Sequence, residues 1–190
     1  MALRMILQEG DPTLKKQSRE IIAFDERLHV LLDDMRETLV YEDALGLAAP
    51  QVGILRRAIV LTDVRREDEP VEDTLIELVN PMIVETEGEQ EELEGCLSIP
   101  EVKGYVKRPN WVKVRAQDRH GEWFEIEGDD IIACALCHEI DHLDGKLFTE
   151  MCDELFDIDA DVDESRSKRA QRLRREKKQR GRKVAARRRR

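Results

Sequence analysis

Aromatic residues are scarce. Two Trp, two Tyr and four Phe make up 4% of the 190 positions, so aliphatic side chains must carry most of any core. No stretch is apolar over the roughly 20 residues that a bilayer crossing requires, so no membrane-spanning helix is expected. No apolar run near the N-terminus resembles a signal peptide. Cysteines number only four (Cys96, Cys134, Cys137 and Cys152), and without a signal they are not expected to pair as disulfides. They are instead candidates for metal binding, catalysis or plain packing, and the cytoplasm is the expected compartment.

Charge, by contrast, is abundant, with 39% of residues charged against roughly 25% in an average domain. The net charge of −10 conceals a split. Residues 166–190 hold 15 Lys and Arg and one acid, Glu176, or +14, which leaves −24 on residues 1–165. A body that acidic does not seek nucleic acid, whereas the tail can contact phosphates. The length suits one domain with an appendage and is enough to bury a core without disulfide staples.

Hydrophobic spacing supplies the elements. Asp11 followed by Pro12 predicts a short capped turn or helix over 11–19. Leu28, Leu31, Leu32, Met35 and Leu39 predict a one-sided apolar helix over 25–43 with Asp25 as N-cap. Strands are predicted at 58–64, 75–79, 111–116 and 122–127, the last two joined as a hairpin by Asp118–Gly121. Asp129 and Asp130 open a helix through about Leu143, which Gly145 can close. After an acidic run, residues 165–180 have helical character, and the final four arginines are expected to stay disordered.

Two patterns overlap on one histidine. Cys134, Cys137 and His138 have the spacing of a c-type haem attachment site, which requires export. His138, Glu139 and His142 form HExxH on a predicted helix. Positions four apart share a helix face, so His138 and His142 can grip one metal ion. Glu139 then lies close enough to exchange a proton with the water that such an ion activates. On this reading Cys134 and Cys137 are small buried hydrophobes.

A third protein ligand is still needed. Phe148 stands where one protease class places a third histidine. Asp161, Asp163 and Glu164 lie at the distance of a downstream glutamate ligand, in a polar tail, while His29 and His120 lack supporting context. Cys96, between Gly95 and Pro100, is the remaining strong candidate.

LGLAAPQ (45–51), EGCLSIP (94–100) and HEIDHLDG (138–145), in this order and spacing, resemble the three motifs of the peptide deformylase family, and the resemblance runs over roughly 3–150. It implies an α+β fold, with antiparallel sheets packed around a central HExxH helix. The catalytic domain is then expected over 1–150, and composition, not the resemblance, adds an acidic-then-basic tail over 151–190, helical and then disordered. The implied activity is removal of the N-formyl group from the formylmethionine of newly made polypeptides. The implied ligands are Cys96, His138 and His142, holding Fe²⁺, with Zn²⁺, Ni²⁺ or Co²⁺ as substitutes.

Glu139 is then the proton carrier, and the Gln51 amide and Leu97 N–H are the oxyanion donors. Leu45 and Gly46 would pair with an extended substrate. Leu45, Ile131, Cys134 and Ala135 would wall the methionine pocket, and Lys103 would stand on the substrate path where many relatives have Arg. Ala44 replaces a glycine common in relatives. Contact between the basic tail, 166–190, and ribosomal RNA is a further expectation. The rival readings are a metalloprotease with another third ligand and a catalytically dead RNA-binding adaptor.

Overall fold

A computed structural model describes residues 2–66 and 68–157. The elements run α1 (Glu26–Tyr41), β1 (Gly46–Ala48), β2 (Ala58–Thr62), α2 (Val71–Thr74), β3 (Leu75–Glu87), β4 (Gln90–Cys96), β5 (Ile99–Arg108), β6 (Trp111–Gln117), β7 (Trp123–Asp129), α3 (Asp130–Leu143) and β8 (Leu155–Asp157). Short 3-10 turns lie at Pro12–Lys15 and Ala49–Val52. This is an α+β fold with antiparallel sheets, as expected. The tail from residue 158 onward, including the expected helix and basic end, lies outside the described residues. Among those that are described, no helix is long and apolar enough to cross a membrane.

One antiparallel sheet has the order β1-β2-β3-β6-β7. Because side chains alternate across a strand, β2 serves two partners. Ile59 and Leu61 pack with Ile132, Leu136 and Ile140 of α3, whereas Ala58 and Val60 pack with Leu28, Leu32 and Met35 of α1. The continuous apolar run in β2 is therefore a strand buried on both faces. α1 carries the predicted apolar stripe, and Asp25 caps it by accepting from the Arg27 and Leu28 amides.

Four strands, β1, β4, β5 and β8, were not foreseen. β4 and β5 form a separate antiparallel ladder in which Cys96 faces Ile99 across a tight turn made by Leu97 and Ser98. The acidic run in β4 masks its strand character, because Glu occupies half-buried and buried positions (Glu91, Glu94) as well as an exposed one (Glu92). β3 also runs on to Glu87, beyond the predicted 79, through two register shifts. Asn80, with φ of 51°, fixes the first of these by exchanging hydrogen bonds with the Ile21 backbone.

Candidate active site

α3 sits where the predicted helix does, and eleven of its residues are buried, including His138, Glu139 and His142. Beyond its end, Gly145 has φ of 73°, and a Cβ there would stand 2.7 Å from the Lys15 backbone, so glycine is required for the turn. The helix points its two histidines at the β4–β5 turn. There the ligand-type atoms of Cys96, His138 and His142 lie within 4.8 Å of one another. Cys96 Sγ is 3.2 Å from His142 Nε2.

The donor chemistry fits a divalent transition metal, since one sulfur and two imidazole nitrogens suit borderline-soft ions. Burial pulls His142 down to about 3, keeping it in the neutral form that a ligand needs. Burial opposes charge on His138 as well, but Cys96 and Glu94 beside it raise its pKa to about 10, so the surroundings of this point favour positive charge.

His138 is oriented from behind. Its Nδ1 lies 2.8 Å from Glu94 Oε2 and donates to that carboxylate, which leaves Nε2 facing the cluster. Arg108 grips Glu94 through two bonds, of 2.8 Å and 3.0 Å, and reaches Asp141 at 2.5 Å. Glu94 and Arg108 are both buried. Burial raises the Glu94 pKa, yet the bonds from His138 and Arg108 outweigh it and the net shift is downward. Glu94, Arg108 and Asp141 were missed from sequence, and only the position of Glu94, two residues before Cys96, gave a signal.

Glu139 is buried, and its Oε2 has no hydrogen-bond partner among the described residues. Burial pushes its carboxyl up to about 7. A Cβ on Gly46 would stand 2.6 Å from Glu139 Oε1, so glycine makes room for this side chain. Gln51, 1% exposed, accepts from the Ala48 N–H at 2.8 Å through Oε1. Its Nε2 is thereby turned toward Cys96 Sγ and Ser98 Oγ, at 3.5 Å and 3.4 Å. The Leu97 N–H makes no hydrogen bond among the described residues, and the Leu97 side chain packs against the apolar cluster that includes Leu47, Ala49 and the buried face of α1.

The remaining candidates divide. Leu45 packs against the cluster containing Ala135, and Cys134 is buried beside it on α3, whereas Ile131 is 54% exposed. Lys103 is half-buried on β5. His29 and His120 meet edge to face, with ring centroids 5.5 Å apart, and neither belongs to the Cys96 cluster. Phe148 stacks on His138. Asp161, Asp163 and Glu164 fall outside the described residues. Cys134 and Cys137 are free buried thiols, and burial raises them to about 12 and about 11.

The chain is similar to known proteins over most of its length. Residues 3–156 match the family described as polypeptide deformylase. The peptide deformylase of Acetivibrio thermocellus is 49% identical over 177 residues, covering 93% of this chain and 99% of that one. That of Alkaliphilus metalliredigens is 50% identical over 150 residues, covering 79% and 97%. Among solved structures, a peptide deformylase from Legionella pneumophila superposes with a TM-score of 0.73 at 43% identity, covering 79% of this chain and 86% of that one. The one from Thermotoga maritima gives 0.74 at 35%, covering 81% and 100%. The chain belongs to the peptide deformylase family.

Proposed function

We propose that Cys96, His138 and His142 hold one divalent ion, Fe²⁺ in our reading with Zn²⁺, Ni²⁺ or Co²⁺ able to substitute, and that this centre hydrolyses the N-formyl group of formyl-methionyl polypeptides. The observation that carries the reading is the convergence of the three donors beside the buried Glu139, whose Oε2 has no hydrogen-bond partner among the described residues. When bound, such an ion acts as a Lewis acid and makes water a competent nucleophile near neutral pH.

Glu139 takes the proton from the attacking water as the bond to the formyl carbon forms. It passes that proton to the amine as the carbon–nitrogen bond breaks, giving formate and a free N-terminus. Gln51 Nε2 and the Leu97 N–H donate to the oxyanion that develops. The anchoring of Gln51 Oε1 on Ala48 supports this role, because the amide is fixed before the reaction starts. Loss of one such donor costs about 3–4 kcal/mol in barrier.

Leu45 and Gly46 supply backbone groups to the extended substrate. Leu45, Ile131, Cys134 and Ala135 wall the methionine side chain, and Lys103 stands on the substrate path. The ligand set is tested by Cys96→Ser, which should lose stoichiometric metal. Retained metal and activity would refute it.

Our reading confines catalysis to residues 1–150, sets the enzyme in the cytoplasm and assigns ribosomal RNA contact to the basic tail, 166–190. The charge of that tail supports the last assignment. Ribosome co-sedimentation of the full chain and of residues 1–165 tests it, and equal binding by both would remove the assignment.

A further inference from the structure

A cavity of about 610 Å³ opens beside the N-terminal end of α1, and no residue of the catalytic site lines it. Its floor is apolar, formed by Ile21, Leu28, Leu31 and Ile54. Its rim carries Arg4, Arg19, Arg27 and Arg56, with Glu20 and Asp25 as the only acids. Arg4 is committed to Asp34 at 2.8 Å, and the Asp25 carboxylate to the first amides of α1. Arg19, Arg27 and Arg56 form no ion pair among the described residues, and a parallel bridge sets Arg19 beside Arg56.

Three uncommitted arginines around an apolar floor stand out in a stretch, residues 1–165, that carries −24. No acid among the described residues neutralises them. The backbone beside them is also open. Glu20, Ile22 and Ala23 lie outside regular secondary structure and make no backbone hydrogen bond among the described residues, and Ile22 is 91% exposed.

We propose that this groove docks an acidic peptide in extended form. An apolar side chain of the peptide sits on the floor, its carboxylates pair with Arg19, Arg27 and Arg56, and its backbone bonds to Glu20, Ile22 and Ala23. The volume suits a few side chains. Charge alone would also attract an oligonucleotide, but no aromatic ring lines the cavity for a base to stack on.

Fluorescence anisotropy on the full-length, metal-loaded protein tests this with three labelled probes: a peptide alternating Asp and Leu, an all-Asp peptide of the same length, and a single-stranded RNA. The basic tail attracts all three, so the readout is the ratio of wild-type to variant affinity for each probe. R19E/R56E should weaken the Asp/Leu peptide by roughly tenfold or more, with a smaller effect on RNA and formate release unchanged. Ile54→Ser should weaken the Asp/Leu peptide and leave the all-Asp peptide unaffected. R27Q, a milder change, should lower Asp/Leu affinity in the same direction. Unchanged Asp/Leu binding in R19E/R56E and R27Q would overturn the proposal, as would a larger loss for RNA than for the peptide.

Discussion

The Glu94 carboxylate accepts a hydrogen bond from His138 Nδ1 at 2.8 Å while Arg108 holds the same carboxylate from the other side. The bond fixes the tautomer and the ring plane of the histidine, so the atom left for a metal is Nε2. Arg108 in turn ties Glu94 to Asp141, on the same helix as His138. His138 is thus braced by a network that joins β4, β5 and α3.

Glu94→Gln should weaken metal binding by about 10–100-fold, the usual cost of losing an outer-shell partner. Arg108 keeps Asp141 in this variant, so a buried cation is not stranded. Competition with a chelator measures the affinity. An unchanged affinity would show that Glu94 does not support the ligand.

Gly46→Ala places a methyl group 2.6 Å from Glu139 Oε1, so either the carboxylate or β1 must shift. A displacement near 1 Å costs on the order of 100-fold in rate. The expected outcome is a fall in kcat of about that size with metal content retained. Steady-state kinetics beside metal analysis decide it, and a wild-type kcat would show that Glu139 has room to spare.

Cys134 bears on the haem-like spacing. Burial pushes its thiol up to about 12, so at pH 8 it stays protonated, and the thiol is a poor nucleophile in that form. Iodoacetamide at pH 8 should leave Cys134 unmodified in the native protein and modify it after denaturation, read by peptide mass spectrometry. Rapid labelling of the native protein would contradict the packing role.

Much of this was legible in the sequence, for identifiable reasons. The spacing of His138, Glu139 and His142 on an apolar-backed helix reports a shared face directly, because the helix repeat is local. The α1 stripe and its Asp25 cap are local in the same sense. Cys96 lies on another element, and its convergence with the histidines depends on how the β4–β5 turn packs against α3. Residue patterns left it a candidate among others, and the family resemblance singled it out.

The roles of Glu94 and Arg108 were missed for a related reason. A buried ion pair breaks the apolar pattern that marks a strand, so β4 and β5 looked like polar loop. Their pairing register, with Glu94 opposite Gly104, emerges only once the chain is folded.

The central claim is that this Cys–His–His site, with Glu139 as proton carrier, removes a formyl group. Formate release from a formyl-Met peptide, under anaerobic conditions with Fe²⁺, tests it most directly when wild type is compared with Glu139→Gln. The account predicts formate and a free amine from wild type, and from the variant a rate lower by about 10²–10⁴-fold with metal still bound. No formate from metal-loaded wild type, or equal rates from the two proteins, would contradict it.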